Sequence, residues 1–426
     1  MTDGADDGAR EGVLYVSYDG VLEPIGQSQI LPYLEGLQAR GTRLVLLTWE
    51  KAGDLSPASP TRARTRDRLA AKGIEWKALR YHKRPPLLST VWDWARGLVW
   101  IHRLARRHGL ALLHARSYVP AAMAWPLRRR LGAALVFDIR GFWVDERVEG
   151  GIWRRGLVYR LARRVEARLF GAADAVVALT EPAAAVVREQ PEVHRRGVPV
   201  VVVPTCVDTV RFAPRSPDVR CAARLGNRAG PVLAYVGSTG TWAAMDATLA
   251  FFAAALEEWK AASLLLVVRG AVDEVREAVA RRGLSDVATV VAEVSHGELP
   301  AWLSVAQAGL AFYRPGWSNV ARFPTKIGEY LASGLPVVVS SGVGDCERLV
   351  EDRGVGVGVR AFAPDEYRRA ARALRALLAD PAVAVRCRAV AERELSVAEG
   401  VRRYAALYED LRGVGRAASL SPAGSR

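Results

Sequence analysis

The feature that most constrains this chain is the regular alternation of short apolar segments with helical segments. Predicted strands of the first half lie at 13–18, 44–48, 74–79, 111–114, 134–138, 175–179 and 200–203. Those of the second half lie at 232–236, 264–268, 287–290, 309–313 and 336–340. Nearly continuous apolar strands separated by helices predict parallel sheets that helices cover on both faces. The predicted fold class is therefore α/β, with two Rossmann-like, doubly wound units in tandem.

The alternation is interrupted once, at 204–230, by a mostly polar stretch that contains Pro204, Pro214, Pro217 and Gly226. Proline and glycine at this density indicate a linker. The predicted organisation is a disordered segment at 1–12, domains at 13–203 and 231–395, a helix at 396–414 that packs on or crosses between the domains, and a disordered tail at 415–426. In such a pair, ligands bind in the crevice at the carboxyl ends of the strands.

Composition excludes several classes of protein. The 426 residues are enough for two domains. No apolar run approaches the roughly 18–20 residues of a membrane-spanning helix, and the acidic start at Met1–Arg10 does not resemble a signal peptide. The four cysteines are scattered, which argues against a disulfide framework or a zinc site. We therefore expect a cytoplasmic protein.

The net charge of +15 is concentrated in the first half of the chain. No acidic residue occurs from Trp94 to Phe137, and a second basic run spans Arg154–Arg168. Three interpretations are open: a solvated surface, a face directed at anionic lipid or a phosphate-bearing substrate, or a nucleic-acid site. No zinc-finger spacing or aromatic–basic pattern accompanies the charge, so we expect no nucleic-acid partner.

Three loops that follow predicted strands of the first half carry candidate site residues. Gly26 and Gln27 belong to a long polar loop that leads into a helix, although an ordinary turn capped by Ser28 would look the same. His114 and Arg116 end a strand, where a cation can bind an anion. The third loop holds three candidates, Arg140, Asp145 and Glu146. Charges this dense suggest a cleft, or else simple ion pairs within the loop.

Loops of the second half suit a phosphate-bearing ligand. Gly237, Ser238 and Thr239 follow its first strand without the Gly-Lys-Ser/Thr ending of a Walker loop, and Arg269 ends the next strand. Near 325, a helix begins with Thr325 and Lys326, a start that favours a diphosphate. Glu329 lies three residues after Lys326, where it could accept ribose hydroxyls or simply pair with that lysine.

Five blocks together resemble a known family, the retaining GT-B-fold glycosyltransferases of family 4. The blocks are DGVLEPIGQSQIL (19–31), HARSY (114–118), FDIRGFWVDERVEGGIW (137–153), YVGSTGTWAAMD (235–246) and FPTKIGEYLASGLPVVVSSGVGD (323–345). The resemblance spans roughly residues 13–412. It implies a GT-B fold whose two domains face each other across a cleft. The N-terminal domain would hold the acceptor, and the C-terminal domain would hold a nucleotide-sugar donor.

The resemblance also assigns residues. Gly26 matches the glycine-rich acceptor-side loop, and Glu329 matches the second glutamate of the paired-glutamate motif that binds the donor ribose. Where the first glutamate is expected the chain has Ala321, and Ser238 replaces the usual phosphate-binding arginine. The lysine that normally follows a few residues later is absent, and Arg116 replaces a histidine of many relatives. We therefore expect Arg269, Arg314 or Lys326 to supply the missing charge.

The resemblance implies the activity of a hexosyltransferase that works with retention, without a metal and without another cofactor. A sugar would move from a UDP- or GDP-linked donor to the hydroxyl of a sugar or lipid-linked acceptor, in polysaccharide or glycoconjugate biosynthesis. Arg116, Arg140, Asp145 and Glu146 are the candidate catalytic residues. Peripheral attachment to an anionic inner membrane surface stays open. So do two alternatives, a nucleotide-sugar epimerase on the same fold and a non-catalytic sugar-nucleotide-binding membrane partner.

Overall fold

The structure is a computed structural model that describes residues 12–226, 229–240, 242–292 and 294–420, with side chains except at 86–87 and 414–420. Its first half contains strands β1 (Gly12–Ser17), β2 (Leu44–Glu50), β3 (Glu75–Arg80), β4 (Leu110–Arg116), β5 (Ala134–Asp138), β6 (Ala175–Ala178) and β7 (Val200–Val202). The helices of this half are α1 (Pro24–Gln29), α2 (Leu31–Ala39), α3 (Pro60–Ala71), α4 (Pro86–Arg107), α5 (Tyr118–Leu131), α6 (Trp143–Glu149), α7 (Leu157–Ala172), α8 (Glu181–Arg188) and α9 (Pro191–Arg196).

The second half contains β8 (Val232–Ser238), β9 (Ser263–Arg269), β10 (Ala288–Ala292), β11 (Ala308–Ala311), β12 (Val337–Ser340) and β13 (Gly356–Val359). Its helices are α10 (Val219–Leu225), α11 (Met245–Glu258), α12 (Val272–Arg281), α13 (Leu299–Leu303), the 3₁₀ helix Trp317–Ala321, α14 (Thr325–Ala332), α15 (Cys346–Asp352), α16 (Pro364–Leu378), α17 (Val383–Glu394) and α18 (Val397–Leu420).

Each half forms one wholly parallel sheet within the described residues. The strand orders are β3-β2-β1-β4-β5-β6-β7 and β10-β9-β8-β11-β12-β13. All residues of β1 and β2 are buried, because helices cover both faces of the sheet. The order of the strands reverses beside β1 in one sheet and beside β8 in the other, and such switch points are where open α/β sheets bind ligands. The predicted pair of Rossmann-like domains is confirmed.

Helix α18 returns from the second half and packs on the first. Val401 lies against Gly36 of α2, where a Cβ would come 2.5 Å from a Val401 methyl group. The Tyr404 hydroxyl donates to Oδ2 of Asp138 at 3.0 Å. The final helix therefore crosses between the two sheets. None of the helices in the described ranges is long and apolar enough to traverse a bilayer.

Details of the elements differ from the sequence prediction. Gly26 and Gln27, predicted to lie in a loop that leads into one helix, belong to the short helix α1, which Ile30 separates from α2. The linker contains α10, which begins where Asp218 caps two backbone amides. Strand β13 was not predicted, and α18 extends to Leu420. Gly12 belongs to β1, whereas the remainder of the predicted N-terminal segment, and 421–426 of the predicted tail, lie outside the described residues.

Candidate active site

The loops after the strands of one sheet contact those of the other, and so form an interdomain cleft. On one side, the ring of Phe142 stacks on Trp317 at a centroid distance of 4.9 Å. Beside this stack, Oε2 of Glu149 accepts a 2.6 Å hydrogen bond from the Ser318 hydroxyl. Further along, the Thr180 hydroxyl donates to a backbone carbonyl of the 3₁₀ helix of the other domain. The two domains thus enclose the cleft with direct polar and aromatic contacts.

Lys326 lies at the start of α14 against the loop after β8. Its Nζ is 4.0 Å from the centroid of the Tyr235 ring, and a Cβ on Gly237 would come within 2.9 Å of it. Gly237 also has a φ of +145°, which L side chains rarely adopt. Burial lowers the pKa of Lys326 to about 7, and Glu329 offsets only part of this shift. The lysine therefore lies between the start of α14 and the loop after β8, in surroundings that favour loss of its proton.

Glu329 is buried, and it is held by His296, from the loop after β10, which in turn contacts Arg211 of the linker. Its Oε1 lies 3.0 Å from Nε2 of His296, and Nδ1 of the same imidazole lies 3.0 Å from Nη1 of Arg211. Because a guanidinium only donates, Nδ1 must accept and Nε2–H must donate to the carboxylate. This order of donors leaves the other carboxylate oxygen of Glu329 for a ligand.

A cavity of about 340 Å³ opens beside this carboxylate. Both domains and the linker contribute to its wall, which includes Gln27, Ser28, Asp208, His296, Thr325 and Glu329. The predicted donor residue Glu329 and the predicted acceptor-side residue Gln27 therefore line one cavity. Gln27 itself is fixed by hydrogen bonds to the carbonyl of Val21, at 2.6 Å, and to the hydroxyl of Thr65, at 3.1 Å.

Two arginines from the ends of β4 and β5 converge on one neutral amide. Nη2 of Arg116 and Nη2 of Arg140 lie 3.2 and 3.1 Å from Oε1 of Gln29. Arg140, with a φ of +55°, is also 3.9 Å from Asp138. Arg116 is only 4% exposed, and within the described part of the chain its Nε has no hydrogen-bond partner. Arg116 is therefore a buried cation whose side-chain hydrogen bond is to a neutral amide and not to a carboxylate.

His114 lies behind the cleft rather than in it. Its ring is fully buried, stacks on Tyr15 and has Nδ1 2.8 Å from the Tyr408 hydroxyl of α18. Burial lowers its pKa, although Asp138 lies 3.5 Å away. Burial also opposes ionisation of Asp138, but Arg140 and His114 hold the pKa of that carboxyl below its usual range. His114 thus supports the Asp138–Arg140 pair and does not reach an acceptor itself.

The two predicted acidic catalytic residues point in different directions. Asp145 is bonded through both oxygens to side chains of α7, Tyr159 at 3.2 Å and Arg163 at 3.3 Å, so its surroundings are structural. Glu146 lies in the cleft wall, with Oε1 3.3 Å from Nη2 of Arg322 in the other domain. Burial raises the pKa of Glu146, and Arg322 offsets part of that effect.

The remaining predicted donor residues surround the end of β8. The Thr239 hydroxyl accepts a 3.0 Å hydrogen bond from the backbone N–H of Ala271, which ties the β8 and β9 loops together. Ser238 and Arg269 are exposed at the ends of their paired strands. Arg314 is also exposed, and its backbone N–H donates to Trp242. The exposed side chains of Ser238, Arg269 and Arg314 lie at the rim of the cleft, whereas that of Lys326 is half-buried.

Sequence reasoning missed four residues that organise the site: Gln29, Glu149, His296 and Arg322. Each acts across an interface between elements that are far apart in the chain, so no local spacing marks it. Gln29 stood within the loop that drew attention, but a neutral amide carries no charge signal. His296 was a single histidine in a polar loop.

Family models match nearly all of this architecture. One described as "Glycosyl transferase 4-like domain" matches residues 27–206, and one described as "Glycosyl transferases group 1" matches residues 230–380. The chain belongs to the family-4-like GT-B glycosyltransferases. The first matched range covers the cleft residues from Gln27 to Arg140, and the second covers those from Gly237 to Glu329.

Individual relatives of this glycosyltransferase are distant. D-inositol 3-phosphate glycosyltransferase from Kineococcus radiotolerans is 30% identical over 300 residues, a match that spans 66% of this chain and 66% of that protein. Sucrose-phosphate synthase from Thermosynechococcus elongatus has a TM-score of 0.66 at 18% identity, and covers 95% of this chain and 100% of its own. HepE from Anabaena, solved in complex with UDP and glucose, has a TM-score of 0.67 at 14% identity, over 94% and 99% of the two chains. Both structural likenesses concern the fold.

Proposed function

We propose that this glycosyltransferase moves a hexose from a UDP- or GDP-linked donor to an acceptor hydroxyl, with retention at the anomeric carbon. The observation that carries the proposal is the buried Glu329 carboxylate, which His296 orients beside a cavity at the start of α14. A carboxylate in such a place suits the two hydroxyls of a ribose. Lys326 and the N-terminus of α14 lie at most one and a half helical turns from that carboxylate. Both suit the diphosphate that adjoins the ribose.

Charge in the cleft would assist departure of the nucleoside diphosphate. The N–H groups at the start of α14 and the Lys326 ammonium would stabilise the negative charge that develops on the leaving phosphate. Arg116 and Arg140 would face the acceptor, or the sugar as it transfers, from the N-terminal domain. Asp145 is left out of this mechanism, because both of its oxygens are occupied by α7.

Retention is proposed as attack by the acceptor hydroxyl from the same face that the diphosphate leaves. The contacts between the domains would separately favour transfer over hydrolysis, because they would keep water away from the donor. We propose that the transfer needs no metal, since Lys326, the helix N-terminus and the arginines supply the positive charge. Turnover should then be unchanged when a chelator such as EDTA is added, whereas loss of activity that Mg²⁺ or Mn²⁺ restores would contradict this part of the proposal.

The base and the acceptor are proposed from the relatives and the charge. A UDP-linked donor is favoured because HepE was solved with UDP and with UDP-glucose. A phosphate-bearing or lipid-linked acceptor is favoured because Arg116 is buried with a neutral partner. We propose a role in polysaccharide or glycoconjugate assembly, in the cytoplasm and at the periphery of the inner membrane.

Donor binding tests the proposal first. Thermal unfolding of the wild type would be measured with UDP-, GDP- and dTDP-sugars, and repeated for Glu329→Ala and for the control Glu277→Ala, an exposed glutamate of α12. A ligand that binds only the folded state raises the melting temperature. We expect one donor to stabilise the wild type and the control, and to stabilise Glu329→Ala much less. If no sugar nucleotide stabilises the wild type, the donor site is wrong.

Product analysis then separates transfer from its rivals. With the identified donor, we expect release of nucleoside diphosphate that depends on added acceptor. Conversion of the nucleotide sugar to a stereoisomer without acceptor would instead support an epimerase. Binding without any turnover across the acceptor panel would support a non-catalytic partner.

A further inference from the structure

Exposed apolar side chains are concentrated on two helices of the N-terminal domain. Of the 14 large hydrophobic residues that are exposed in the described ranges, eight lie on α4 or in the stretch 152–161. They are Leu88, Val91, Trp92, Val99, Ile152, Leu157, Val158 and Leu161, with exposures from 47% to 76%. The residues of α4 recur at helical spacing and so form one stripe. Such a concentration is unusual, because exposed hydrophobic residues are normally scattered.

The fold brings these side chains to one face of the domain. Helices α4 and α7 pack on either side of α5. Each of the two follows a strand and leads to the amino end of the next parallel strand, so both begin at the carboxyl edge of the sheet. Seven of the eight exposed residues lie in the first half of α4 or α7, or just before α7. The apolar surface is therefore nearest to the rim of the cleft.

Exposed arginines lie along α4, α5 and α7 and in the segment before α7, and no nearby carboxylate within the described residues neutralises their charge. The exposed arginines of α4, α5 and α7, with those just before α7, are Arg103, Arg106, Arg107, Arg129, Arg130, Arg154, Arg155, Arg160, Arg164 and Arg168. Within the described part of the chain, no carboxylate lies within 4.0 Å of any of them. The only acidic residues of these three helices, Asp93 and Glu166, are buried. We call this surface the apolar–cationic face.

Arginines of the C-terminal domain show the contrast. On α16, Arg368, Arg369, Arg372 and Arg375 each have a carboxylate partner within 4.0 Å. If the arginines reflected only an arginine-rich composition, those on helices of both domains should be paired with carboxylates to the same extent. The coincidence of these unpaired arginines with exposed leucine, valine and tryptophan therefore marks the apolar–cationic face as a docking surface.

We propose that the apolar–cationic face docks on an anionic lipid bilayer. Lipid phosphates would neutralise the arginines, while Trp92, Leu157 and their apolar neighbours would enter the region between headgroups and acyl chains. A second copy of the chain fits less well, because a two-fold contact would place these arginines against the same arginines. Nucleic acid would neutralise the charge, but it offers nothing to the exposed aliphatic side chains between the arginines.

This inference deepens the membrane-peripheral location in the proposed function, on which it rests, by naming the surface that would meet the lipid; the binding itself requires neither donor nor acceptor. If both hold, the orientation has a consequence for the reaction. The starts of α4 and α7 would meet the bilayer, and the cleft beside them would open near the headgroups. An acceptor whose hydroxyl stands at the membrane surface could then enter without leaving its lipid.

Vesicle flotation of the full chain, without nucleotide sugar, tests the charge part of the proposal. We expect the protein to float with vesicles of phosphatidylcholine and phosphatidylglycerol, and to stay behind with phosphatidylcholine alone. Arg160→Gln with Arg164→Gln should weaken the partition at least about fivefold. The control pair Arg276→Gln with Arg281→Gln, exposed on α12 of the other domain, should leave it unchanged.

A second pair of variants tests the contribution of the exposed apolar side chains to lipid binding. Trp92→Ser with Leu157→Ser should weaken the partition by about tenfold or more at constant charge, because both side chains would no longer enter the bilayer. The control pair Val219→Ser with Val385→Ser removes exposed apolar side chains elsewhere and should have no effect. All four positions are exposed, so the variants should fold, which thermal unfolding would verify.

Three results would overturn the proposal: absence of flotation with anionic vesicles, equal loss in test and control pairs, or a dimer in solution that Trp92→Ser with Leu157→Ser dissociates. The last result would show that the face binds a second copy. Donor binding, measured on the same preparations by thermal shift, should be equal in every variant. A failure of the lipid test with intact donor binding would thus remove the membrane location but leave the proposed donor site and sugar transfer standing.

Discussion

Nε2 of Gln29, at the end of α1 in the N-terminal domain, donates a 2.7 Å hydrogen bond to Oγ1 of Thr325, the first residue of α14 in the C-terminal domain. The carbonyl oxygen of the same amide accepts from Arg116 and Arg140. One neutral side chain therefore connects the arginines of one domain to the proposed phosphate-binding helix start of the other. Its position couples closure of the cleft to the orientation of both arginines.

Replacing Gln29 by leucine should impair turnover more than folding. The leucine keeps the volume of the side chain but removes the contact between the domains and the shared acceptor of the two arginines. We expect kcat/KM to fall by about tenfold or more, equivalent to about 1.4 kcal/mol of transition-state stabilisation. The control is Gln190→Leu, since within the described residues the Gln190 side chain bonds only to the carbonyl of Val186, on the preceding helix α8. Equal kinetics of the two variants would show that Gln29 has no role in closure.

The histidine beside Glu329 should act by positioning the carboxylate. Glu329→Gln removes the charge that receives the ribose, and we expect donor affinity to fall by about tenfold or more, since hydrogen bonds to charged groups contribute about 1.5–3 kcal/mol. His296→Ala should cost less, and His296→Gln should restore part of the loss because an amide can donate in the same place. Calorimetric titration of all three and of their double variants gives the coupling. If His296→Ala weakens binding equally in the Glu329→Gln background, His296 does not act through Glu329.

Lys326 should take up a proton when the donor binds. The pKa of Lys326 is about 7 in the protein alone. A diphosphate next to the ammonium would raise this pKa. Donor affinity should therefore be constant below about pH 7 and fall by up to tenfold for each pH unit above it, until the pKa of the complex is reached. Calorimetry at pH 8 in two buffers of different ionisation enthalpy measures the uptake directly. Lys326→Met should abolish both the uptake and the pH dependence, and a donor affinity that is flat from pH 7 to 9 in the wild type would contradict the placement.

The fold could be predicted from the sequence because its strongest signal is local. Each of the strands β1 to β12 is a compact apolar run, and each run was recognised to within a few residues. Strand β13 escaped because Gly354, Gly356 and Gly358 alternate with valines, and glycine weakens a strand signal. The break at Ile30 escaped because the apolar period continues through it, so only the packing of α1 and α2 reveals two helices.

The site could be predicted only in part, because its chemistry is assembled across domains. The polar loops were found from charge and glycine content, which are visible along the chain. The direction in which each side chain points is not visible along the chain. Glu146 faces the other domain, whereas its neighbour Asp145 faces α7. His114 could not be distinguished from a cleft histidine until α18 was seen to cover it with Tyr408. The placements of Glu146 and His114 depend on contacts with residues 176 and 294 positions away along the chain.

Gly26 provides a test of how helix α1 supports Gln29. A Cβ at this position would lie 2.2 Å from the carbonyl oxygen of Gly20 and 2.4 Å from Cα of Val21, both backbone atoms that cannot move alone. Gly26→Ala should therefore displace α1 and with it Gln27 and Gln29, because an over-packed site relaxes by shifting backbone, at a cost of typically about 1–3 kcal/mol.

The comparison variant is Gly53→Ala, since a Cβ there meets no atom within 4 Å among the described residues and the backbone needs no positive φ. We expect Gly26→Ala to lower the midpoint of urea unfolding and to reduce kcat/KM by more than its loss of stability explains, while Gly53→Ala changes neither. Because Gln29 moves with α1, combining Gly26→Ala with Gln29→Leu should add little further loss of kcat/KM. Additive losses would instead mean that Gly26 and Gln29 serve the cleft independently, and that the close packing of α1 on Gly20 only stabilises the fold.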